Sequence, residues 1–362
     1  DVPAGQLSGA ELTHLYPMFS LMMEDVREGR FTPNIVYENG VPVEFAAVPL
    51  TCFSSDRFQH KEFSSISRLL EAYYAEKNTV TRIRQKSVDL RRIVQTALER
   101  NYKKYDLQLK QLKDTEKRDK YKLYGELLNT YGYELSGGEK ELICTDYYSG
   151  KEVKIPLDDQ LTARENSQRY FEKYSKLKRT AEALGELTQE TRREIDHLES
   201  VSAALDIAVR EEDLVQIREE LMEFGFIKKR PAGGKKPKIT SRPYHYRSSD
   251  GFDIYVGKNN YQNEEVTFKL ASGNDWWFHA KGIPGSHVVV RTEGKELPDR
   301  TFEEAGSLAA WYSKGRGNEK VEIDYIQRKH VKKAAGGAPG FVIYHTNYSL
   351  MAEPKLELPE AE

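Results

Sequence analysis

The sequence predicts an α+β protein of several domains, in which a long antiparallel intramolecular coiled coil with a small β-hairpin tip precedes an α+β domain with a mostly antiparallel sheet. Two observations support this fold class. Apolar side chains recur every seven residues in two stretches between residues 63 and 224, which is the pattern of a coiled coil. From residue 250 to 344, short runs alternate apolar and polar residues between Gly, Asn and Pro, which is typical of strands and turns.

We divide the 362-residue chain into four parts. Residues 1–60 are the closing part of an N-terminal region with one helix and one β-hairpin. Residues 61–227, which we name the arm, form the coiled coil, with a hairpin at its tip at about residues 141–157. Residues 228–243 are a basic flexible linker, because they are rich in Lys, Pro and Gly. Residues 244–362 form the last domain, which we name the head.

The first 60 residues contain signals for one helix and two strands. Ser8 and Glu11 form a capping-box pattern for a helix that reaches about Glu28. Strands follow over residues 35–37 and 43–50, with a hairpin turn at Asn39-Gly40. So few elements bury a small core, and we therefore expect the chain to begin inside a domain whose first part lies upstream.

The arm contains two rows of inward-facing positions on each of two helices. The first helix, residues 63–129, carries the rows Ile66, Tyr73, Val80, Ser87, Val94 and Leu69, Glu76, Ile83, Leu90, Ala97, and then slips by four residues to the rows Leu98, Tyr105, Leu112 and Tyr102, Leu109. The second helix, from about 161 to 224, carries the rows Tyr174, Ala181, Thr188, Ile195 and Leu177, Leu184, Thr191, Leu198, Leu205, and its end is a last helix over residues 213–224 that stops at Gly225. Some 60 residues per helix predict an arm of about 90 Å.

The insert between the two helices predicts a β-hairpin, because two short apolar runs flank Ser149-Gly150. Tyr147 and Tyr148 fall at its turn. Exposed aromatic residues are costly unless they contact something, so we expect a partner to bind there. The alternative is that the hairpin only closes the turn.

The head is predicted to contain several strands around one helix. We expect strands over residues 252–256, 266–270, 276–278, 288–290, 321–325 and 341–344. The helix is expected to begin at Thr301 as its N-cap, followed by acidic residues in its first turn, and to reach Trp311.

Charge is divided unevenly along the chain, although the formal net charge is only −2. Residues 225–350 contain 21 Lys and Arg against 13 Asp and Glu. A basic head on an acidic arm predicts that the head faces a polyanion, and the alternative is a chance imbalance. Two cysteines, Cys52 and Cys144, indicate no disulfide framework, so we expect a cytoplasmic protein. We expect neither a membrane span nor a signal peptide.

Asp275, His279 and His287 are the residues in the head that suggest an enzyme or a metal site. No Ser or Cys near them in the sequence is an obvious nucleophile. A metal site would need a third ligand, and the sequence does not indicate one. We therefore predict no catalytic residue, no metal and no cofactor. Two interpretations of the histidines stay open, namely hydrogen bonding within the sheet and contact with RNA.

Aromatic, amide and basic residues in the head suggest RNA contacts. Trp277 is the aromatic residue expected to stack on a base, whereas Trp276 and Phe278 are expected in the core. The amides of residues 259–263 either satisfy a turn or bind phosphate and sugar. The basic cluster of residues 328–333, followed by a Gly-rich stretch, has the composition of a phosphate-contacting loop, with a solvated charge run as the alternative.

Three strings in the head resemble the NFACT-R domain: VGKNN-x-QN, NDWWFHAKGIPGSHVVV and KHVKKAAGGAPG. Residues 155–178 also resemble the middle coiled-coil segment of the NFACT family. This family comprises ribosome quality-control factors of the bacterial RqcH type and also carries the name fibronectin-binding protein A. Residues 1–60 resemble the closing part of the segments that precede the coiled coil in the family.

The resemblance implies a function in translation. The protein is expected to bind the obstructed large ribosomal subunit, through ribosomal RNA and protein, and tRNA, and so to support C-terminal alanine tailing of stalled chains. The candidate nucleic-acid-binding residues are Asn259, Asn260, Gln262, Asn263, Asp275, Trp277, His279, Lys281, Ser286, His287, Arg328, Lys329, Lys332 and Lys333. The alternative is a cell-surface adhesin with fibronectin as its partner, and a hydrolase using His279 is a third class.

Overall fold

The computed structural model describes residues 8–38, 41–55, 58–229 and 237–361, without the side chains of residues 79 and 80. The predicted turn at Asn39-Gly40, the side chain of Val80 and the centre of the predicted linker lie outside the described residues. Mixed helix and sheet, with long paired helices and an antiparallel sheet in the head, confirm the predicted fold class.

The N-terminal region consists of one helix and a three-stranded antiparallel sheet. Helix α1 (Gly9–Arg27) begins with the predicted capping box, in which Ser8 and Glu11 satisfy each other's backbone N–H groups. Strand β1 (Asn34–Glu38) lies between β2 (Val41–Ala46) and β3 (Phe58–Glu62). The sequence analysis missed β3, because its side chains are mostly polar and exposed and do not alternate.

The arm is an antiparallel pair of long helices. Helix α2 (Ile66–Asp114) continues after one 3₁₀ turn as α3 (Arg118–Tyr131), and α4 (Ala163–Ile207) returns alongside both. The second helix does not run unbroken to residue 224, because the chain breaks after Ile207; α5 (Glu211–Glu223) follows and corresponds to the last helix expected over residues 213–224. The 45 residues of α4 therefore span about 68 Å at 1.5 Å per residue, less than the predicted length.

Asp213 explains the break between α4 and α5. Ala208 has extended backbone angles, with φ −61° and ψ 121°. The Asp213 carboxylate accepts the N–H groups of Val209 and Arg210, at 3.2 and 3.0 Å, so it caps a new helix. The three acidic residues in the first turn of α5 were the sequence signal for this start.

The seam of the arm follows the predicted heptad rows through its first half. Buried apolar side chains from both helices meet there: Ile83, Leu90, Val94, Leu98, Ile195, Leu198, Val201 and Leu205. The predicted slip is only half correct, because Tyr102 and Leu109 are exposed. The row that contains Val94 instead continues at intervals of seven through the buried polar residues Asn101, Gln108 and Thr115. A search for apolar residues does not detect them.

The tip of the arm is the predicted hairpin, made of β4 (Glu141–Thr145) and β5 (Glu152–Pro156). Its inward residues Leu142, Cys144 and Ile155 pack on α3 and on Tyr170 of α4. The hairpin is therefore fixed to the ends of both helices. None of the helices within the described residues is both long and apolar enough to cross a membrane.

The head is built on a six-stranded sheet in which every neighbouring pair is antiparallel. Its strands, in chain order, are β6 (Tyr244–Arg247), β7 (Asp253–Val256), β8 (Trp276–Ala280), β9 (Val288–Arg291), β10 (Val321–Gln327) and β13 (Tyr348–Ala352). They lie in the order β13-β10-β8-β9-β7-β6. A separate pair, β11 (Lys332–Lys333) with β12 (Val342–Ile343), follows β10 along the chain.

Helices cover parts of both faces of this sheet. Helix α7 (Asp299–Trp311) packs on one face; Pro298, rather than the predicted Thr301, occupies its N-cap position, and Thr301 is buried inside the helix. The other face carries α6 (Asn260–Glu265) and a π-helix over Val266–Leu270. The predicted strand at 266–270 is therefore wrong, because five residues of alternating polarity also fit a short helix that buries Val266 and Thr267.

Candidate nucleic-acid interface

The amides after β7 join the head to the arm. Asn259 caps α6, and its Oδ1 accepts the N–H of Gln262 at 3.1 Å. Its Nδ2 donates to Oε1 of Gln216 on α5 at 2.9 Å, and Nε2 of Gln262 donates to the same oxygen at 3.2 Å. Asn259 and Gln262 are both buried, so these hydrogen bonds are shielded from water and fix α6 against α5.

A buried carboxylate anchors the second contact between head and arm. Nδ2 of Asn260 donates to Oε1 of Glu220 at 2.6 Å and to Oγ of Ser200 at 2.8 Å. Nε2 of His197 lies 2.8 Å from the same carboxylate oxygen. Glu220 is fully buried, and burying a carboxylate is costly unless it is hydrogen-bonded. One carboxylate thus ties α4, α5 and α6 together.

Asn263 holds the loop that precedes β9. Its Oδ1 accepts the N–H of His287 at 2.9 Å, and its Nδ2 donates to the carbonyl of Gly285 at 3.3 Å. A Cβ on Gly257 would lie 2.3 Å from that Oδ1, so the position requires glycine. Together with Asn259, Asn260 and Gln262, this amide is buried and partnered within the chain, which favours the structural alternative for all four.

Asp275 and Trp277 are buried in the sheet. The Asp275 carboxylate accepts the N–H of Thr292 at 2.8 Å and that of Ser272 at 2.7 Å, which fixes the ends of β8 and β9. Trp277 has no exposed surface, whereas its neighbour Trp276 is partly exposed. Trp277 is therefore not placed to stack on a base, whereas Trp276 packs against the core beside Phe302 and Tyr325, as expected for a core residue.

His279 and His287 form a pair beside Trp277. The His279 ring stacks on the indole with centroids 5.7 Å apart and meets the His287 ring edge-on at 5.4 Å. Burial disfavours the charged imidazolium, so the pKa of His279 falls to about 4 and the pKa of His287 also falls well below its usual value. Nδ1 of His287 lies 2.8 Å from the hydroxyl of Thr267. Both rings are therefore neutral at neutral pH.

A cavity of about 270 Å³ opens at this pair, between α4 and the head. We name it the junction cavity. Its lining residues are Arg192, Asp196, Glu199, Ser200, Asn260, Asn263, Trp277, His279, Gly282, Ile283, Pro284, Gly285, His287, Gly340, Phe341, Val342 and Tyr344. The sequence analysis placed His279, His287 and the amides in one domain but did not join them to a residue of the arm.

A basic surface lies beside the junction cavity, and we name its residues Lys269, Arg328, Lys329, Lys332 and Lys333 the basic face. The guanidinium of Arg328 packs 4.9 Å from the Phe268 ring centroid, and the ammonium of Lys333 lies 5.3 Å from it. Lys329 and Lys332 are exposed, and their ammonium groups form no hydrogen bond or ion pair with the described residues. Two cations of the predicted basic cluster thus share the Phe268 ring, and two others carry exposed charge that no described residue pairs.

The two members of the basic face that sit on Phe268 are partly engaged. Nε of Arg328 donates to the carbonyl of Thr267 at 2.8 Å, and Nζ of Lys333 pairs with Glu264 at 2.6 Å. The Gly-rich loop between β11 and β12 packs on α6, because a Cβ on Gly340 would lie 2.9 Å from the carbonyl oxygen of Asn260. That end of the loop serves packing rather than approach to a phosphate.

Two remaining candidates lie away from the basic face. Lys281 follows β8 and pairs with Glu322 at 2.5 Å on the surface. Ser286 is buried, and its N–H donates to the carbonyl of Tyr312 at 2.8 Å. Among the residues that the structure describes, no group of three His, Cys, Asp or Glu side chains is placed to hold a metal ion.

The tip of the arm presents its two tyrosines to solvent. Tyr147 is 49% exposed and Tyr148 is 70% exposed, and their ring centroids lie 4.5 Å apart. The Asp146 carboxylate accepts the N–H of Tyr148 at 2.9 Å, which holds the turn. An ordered aromatic pair at the end of a long helix pair is suited to contact a partner.

The sequence analysis missed three contributors to this region. Arg192 and Tyr344 line the junction cavity, and Lys269 extends the basic face. Arg192 lies on the exposed side of a heptad helix, where charge is ordinary, so no local signal marks it. Tyr344 follows β12 directly, and its hydroxyl donates to Asp324 at 2.8 Å.

Two family models match the chain in order. The NFACT N-terminal and middle domains match residues 1–240, and the NFACT protein RNA binding domain matches residues 242–345. The chain is 41% identical over 313 residues to the Rqc2 homolog RqcH of Streptococcus suis, covering 86% of this chain and 55% of that protein. It is 35% identical over 337 residues to the Rqc2 homolog RqcH of Bacillus subtilis, covering 92% of this chain and 58% of that protein.

A solved structure has the same architecture over most of the chain. The C-terminal part of the fibronectin/fibrinogen-binding protein from Streptococcus suis matches with a TM-score of 0.59 and 38% identity, covering 76% of this chain and 96% of that one. The present chain spans little more than half the length of the two curated relatives. With matched family models on both the arm and the head, the chain belongs to the NFACT family.

Proposed function

We propose that this chain is the part of a ribosome quality-control factor that binds the obstructed large ribosomal subunit and tRNA, in support of C-terminal alanine tailing of stalled chains. The basic face carries this proposal. It lies within the residues matched by an RNA-binding domain, and Lys329 and Lys332 keep their charge unpaired within the described residues. Unpaired cations on a fixed surface are what phosphate contacts require.

The two ends of the molecule have different tasks in this proposal. The basic face of the head contacts the tRNA backbone, while the arm reaches ribosomal RNA and protein with Tyr147 and Tyr148 at its tip. The hydrogen bonds of Asn259 and Asn260 to the arm support this division, because they hold the head at a set position on a rigid spacer.

We also propose that the chain carries out no covalent step and acts in the cytoplasm. His279 packs against Trp277 and His287, and a hydrolase would need a nucleophile within hydrogen-bond reach. Hydrolysis of a peptidyl- or aminoacyl-tRNA that is lost in His279→Ala would contradict this part of the proposal.

The experiment is a tRNA titration of the Lys329→Glu/Lys332→Glu variant at several salt concentrations. Each phosphate contact that is lost lowers the slope of log K against log salt by about 0.7 to 0.9, so we expect weaker binding and a slope smaller by about 1.5. Lys320→Glu is the matched control, because this exposed lysine precedes the opposite end of β10 from Arg328. Equal affinity and slope in wild type and double variant would refute the basic face as an RNA surface.

Fibronectin is the alternative partner, because the matched solved structure is named for fibronectin and fibrinogen binding. A parallel titration against immobilised fibronectin separates the two functions. Saturable fibronectin binding that persists at high salt, together with no tRNA binding, would replace the ribosomal proposal with the adhesin.

A further inference from the structure

The junction cavity has the size and the walls of a site for one planar heterocycle. Its volume of about 270 Å³ lies just below the range of about 300–1,000 Å³ that is usual for ligand sites, so it is too small for a peptide or a folded partner. The partly exposed rings of His279, Phe341 and Tyr344 line it. Aromatic and imidazole rings are the groups on which unstacked bases lie.

The electrostatics of the cavity favour an uncharged ligand. His279 and His287 are held neutral by burial, so they offer hydrogen-bonding nitrogens without charge. At the rim, Arg192 pairs with Asp196 at 2.6 Å and lies 3.9 Å from Glu199. These carboxylates oppose a phosphate inside the cavity, and the paired Arg192 leaves no net positive charge to draw one in.

A polar group in the wall remains unused within the described part of the chain. The indole N–H of Trp277, which lies behind His279, is buried and has no acceptor among the described residues. Nδ1 of His287, on the same side of the sheet, is held by the hydroxyl of Thr267 at 2.8 Å. Buried tryptophan N–H groups usually have a hydrogen-bond partner, so this N–H is a donor still available to an acceptor atom of a ligand.

The basic face and the junction cavity are joined by one pair of strands. Val342 of β12 lines the cavity, and its register partner on β11 is Lys333 of the basic face. A strand of RNA whose phosphates lie on the basic face therefore passes the mouth of the cavity. We propose that the junction cavity accepts a single unstacked nucleobase of the RNA bound by the basic face, so the inference rests on the proposed function.

The test compares two fluorescent hexanucleotides with the same number of phosphates, one of single-stranded uridine and one lacking all bases. Their affinity ratio in wild type isolates the part of binding that depends on bases. Val342→Trp fills the cavity, and Ile343→Trp is the matched control because this neighbour on the same strand is 45% exposed and does not line the cavity. A base stacked on a ring contributes enough that its loss lowers affinity about tenfold.

We expect Val342→Trp to remove most of the advantage of uridine over the abasic oligomer and Ile343→Trp to keep it, with abasic binding unchanged in both. His279→Leu, which takes away one wall without adding bulk, should give the same loss, and urea unfolding checks that each variant folds. Two results would overturn the cavity proposal alone. One is salt-sensitive binding of both oligomers with equal affinity. The other is a higher affinity for the uridine oligomer that persists in both Val342→Trp and His279→Leu. No binding of either oligomer, with a flat response to Lys329→Glu/Lys332→Glu, would overturn the proposed function instead.

Discussion

Replacing Glu220 by alanine should loosen the head from the arm. This carboxylate is fully buried and accepts hydrogen bonds from Asn260 of α6, at 2.6 Å, and from His197 of α4, at 2.8 Å. Alanine would leave both donors buried without that acceptor. The change also removes one buried methylene, Cγ, so the double-mutant cycle below is what isolates the polar contact between the two parts of the molecule.

The expected cost follows from the number of hydrogen bonds lost. A hydrogen bond to a charged group contributes about 1.5–3 kcal/mol, and a buried donor left without a partner costs about 1–3 kcal/mol. Asn260 keeps its bond to Ser200 at 2.8 Å, which offsets part of this loss. We therefore expect Glu220→Ala to lower the free energy of unfolding by about 3 kcal/mol.

Urea unfolding and native-state hydrogen exchange of α5 and α6 measure this change. Arg218→Ala is the control, because Arg218 is exposed on the same helix and should stay within about 0.5 kcal/mol of wild type. In a double-mutant cycle with Asn260→Ala, the two losses should overlap by about 1–2 kcal/mol. A loss below about 1 kcal/mol, or full additivity, would show that this contact does not hold the head on the arm.

Three further predictions concern pH, the tip and the length of the arm. The pKa of His279 in the folded protein, lowered to about 4, lies below the unfolded value of about 6.5. The free energy of unfolding is therefore unaffected by this group above pH 6.5 and falls by up to about 3 kcal/mol towards pH 4, because the unfolded chain takes up the proton first. Urea unfolding of His279→Gln across that range should show a flatter pH dependence than wild type, and an equal slope would refute the assignment. Tyr147→Ser/Tyr148→Ser should weaken co-sedimentation with large ribosomal subunits by about tenfold and leave tRNA affinity unchanged, whereas equal co-sedimentation would make the hairpin only a closing turn. Deleting residues 108–114 and 184–190, one heptad from each helix, shortens the arm by about 10 Å and should also reduce co-sedimentation; an unaffected value would make the arm a passive tether.

Periodicity in the sequence was sufficient to predict the inward-facing residues of the arm wherever those residues are apolar. Leu90, Val94 and Leu198 were placed correctly because a heptad row is a local property of one helix. The pattern failed where Asn101 and Gln108 take inward positions. Polar residues enter a seam only when the facing helix has room for them, and a single sequence does not contain that information.

The candidate site was predicted by composition but not by arrangement. The basic cluster of residues 328–333 was identified from its charge, and it does lie on the surface. The burial of Trp277 was not predictable, because period 2 separates the two faces of β8 without saying whether α7 covers one face alone or α6 and the π-helix cover the other as well. Only the packing of those helices decides it.

The sequence by itself determined the paired helices of the arm, the hairpin tip, the antiparallel character of the head and the excess of positive charge there. These follow from short-range periodicity and residue type. The tertiary structure decided that the amides of residues 259–263 are a buried joint rather than a surface, and that Arg192 of the arm meets His279 and Tyr344 of the head in one cavity. Contacts between residues more than 80 positions apart depend on how the head docks on the arm, and that docking rests on a few buried hydrogen bonds that leave no periodic trace in the chain.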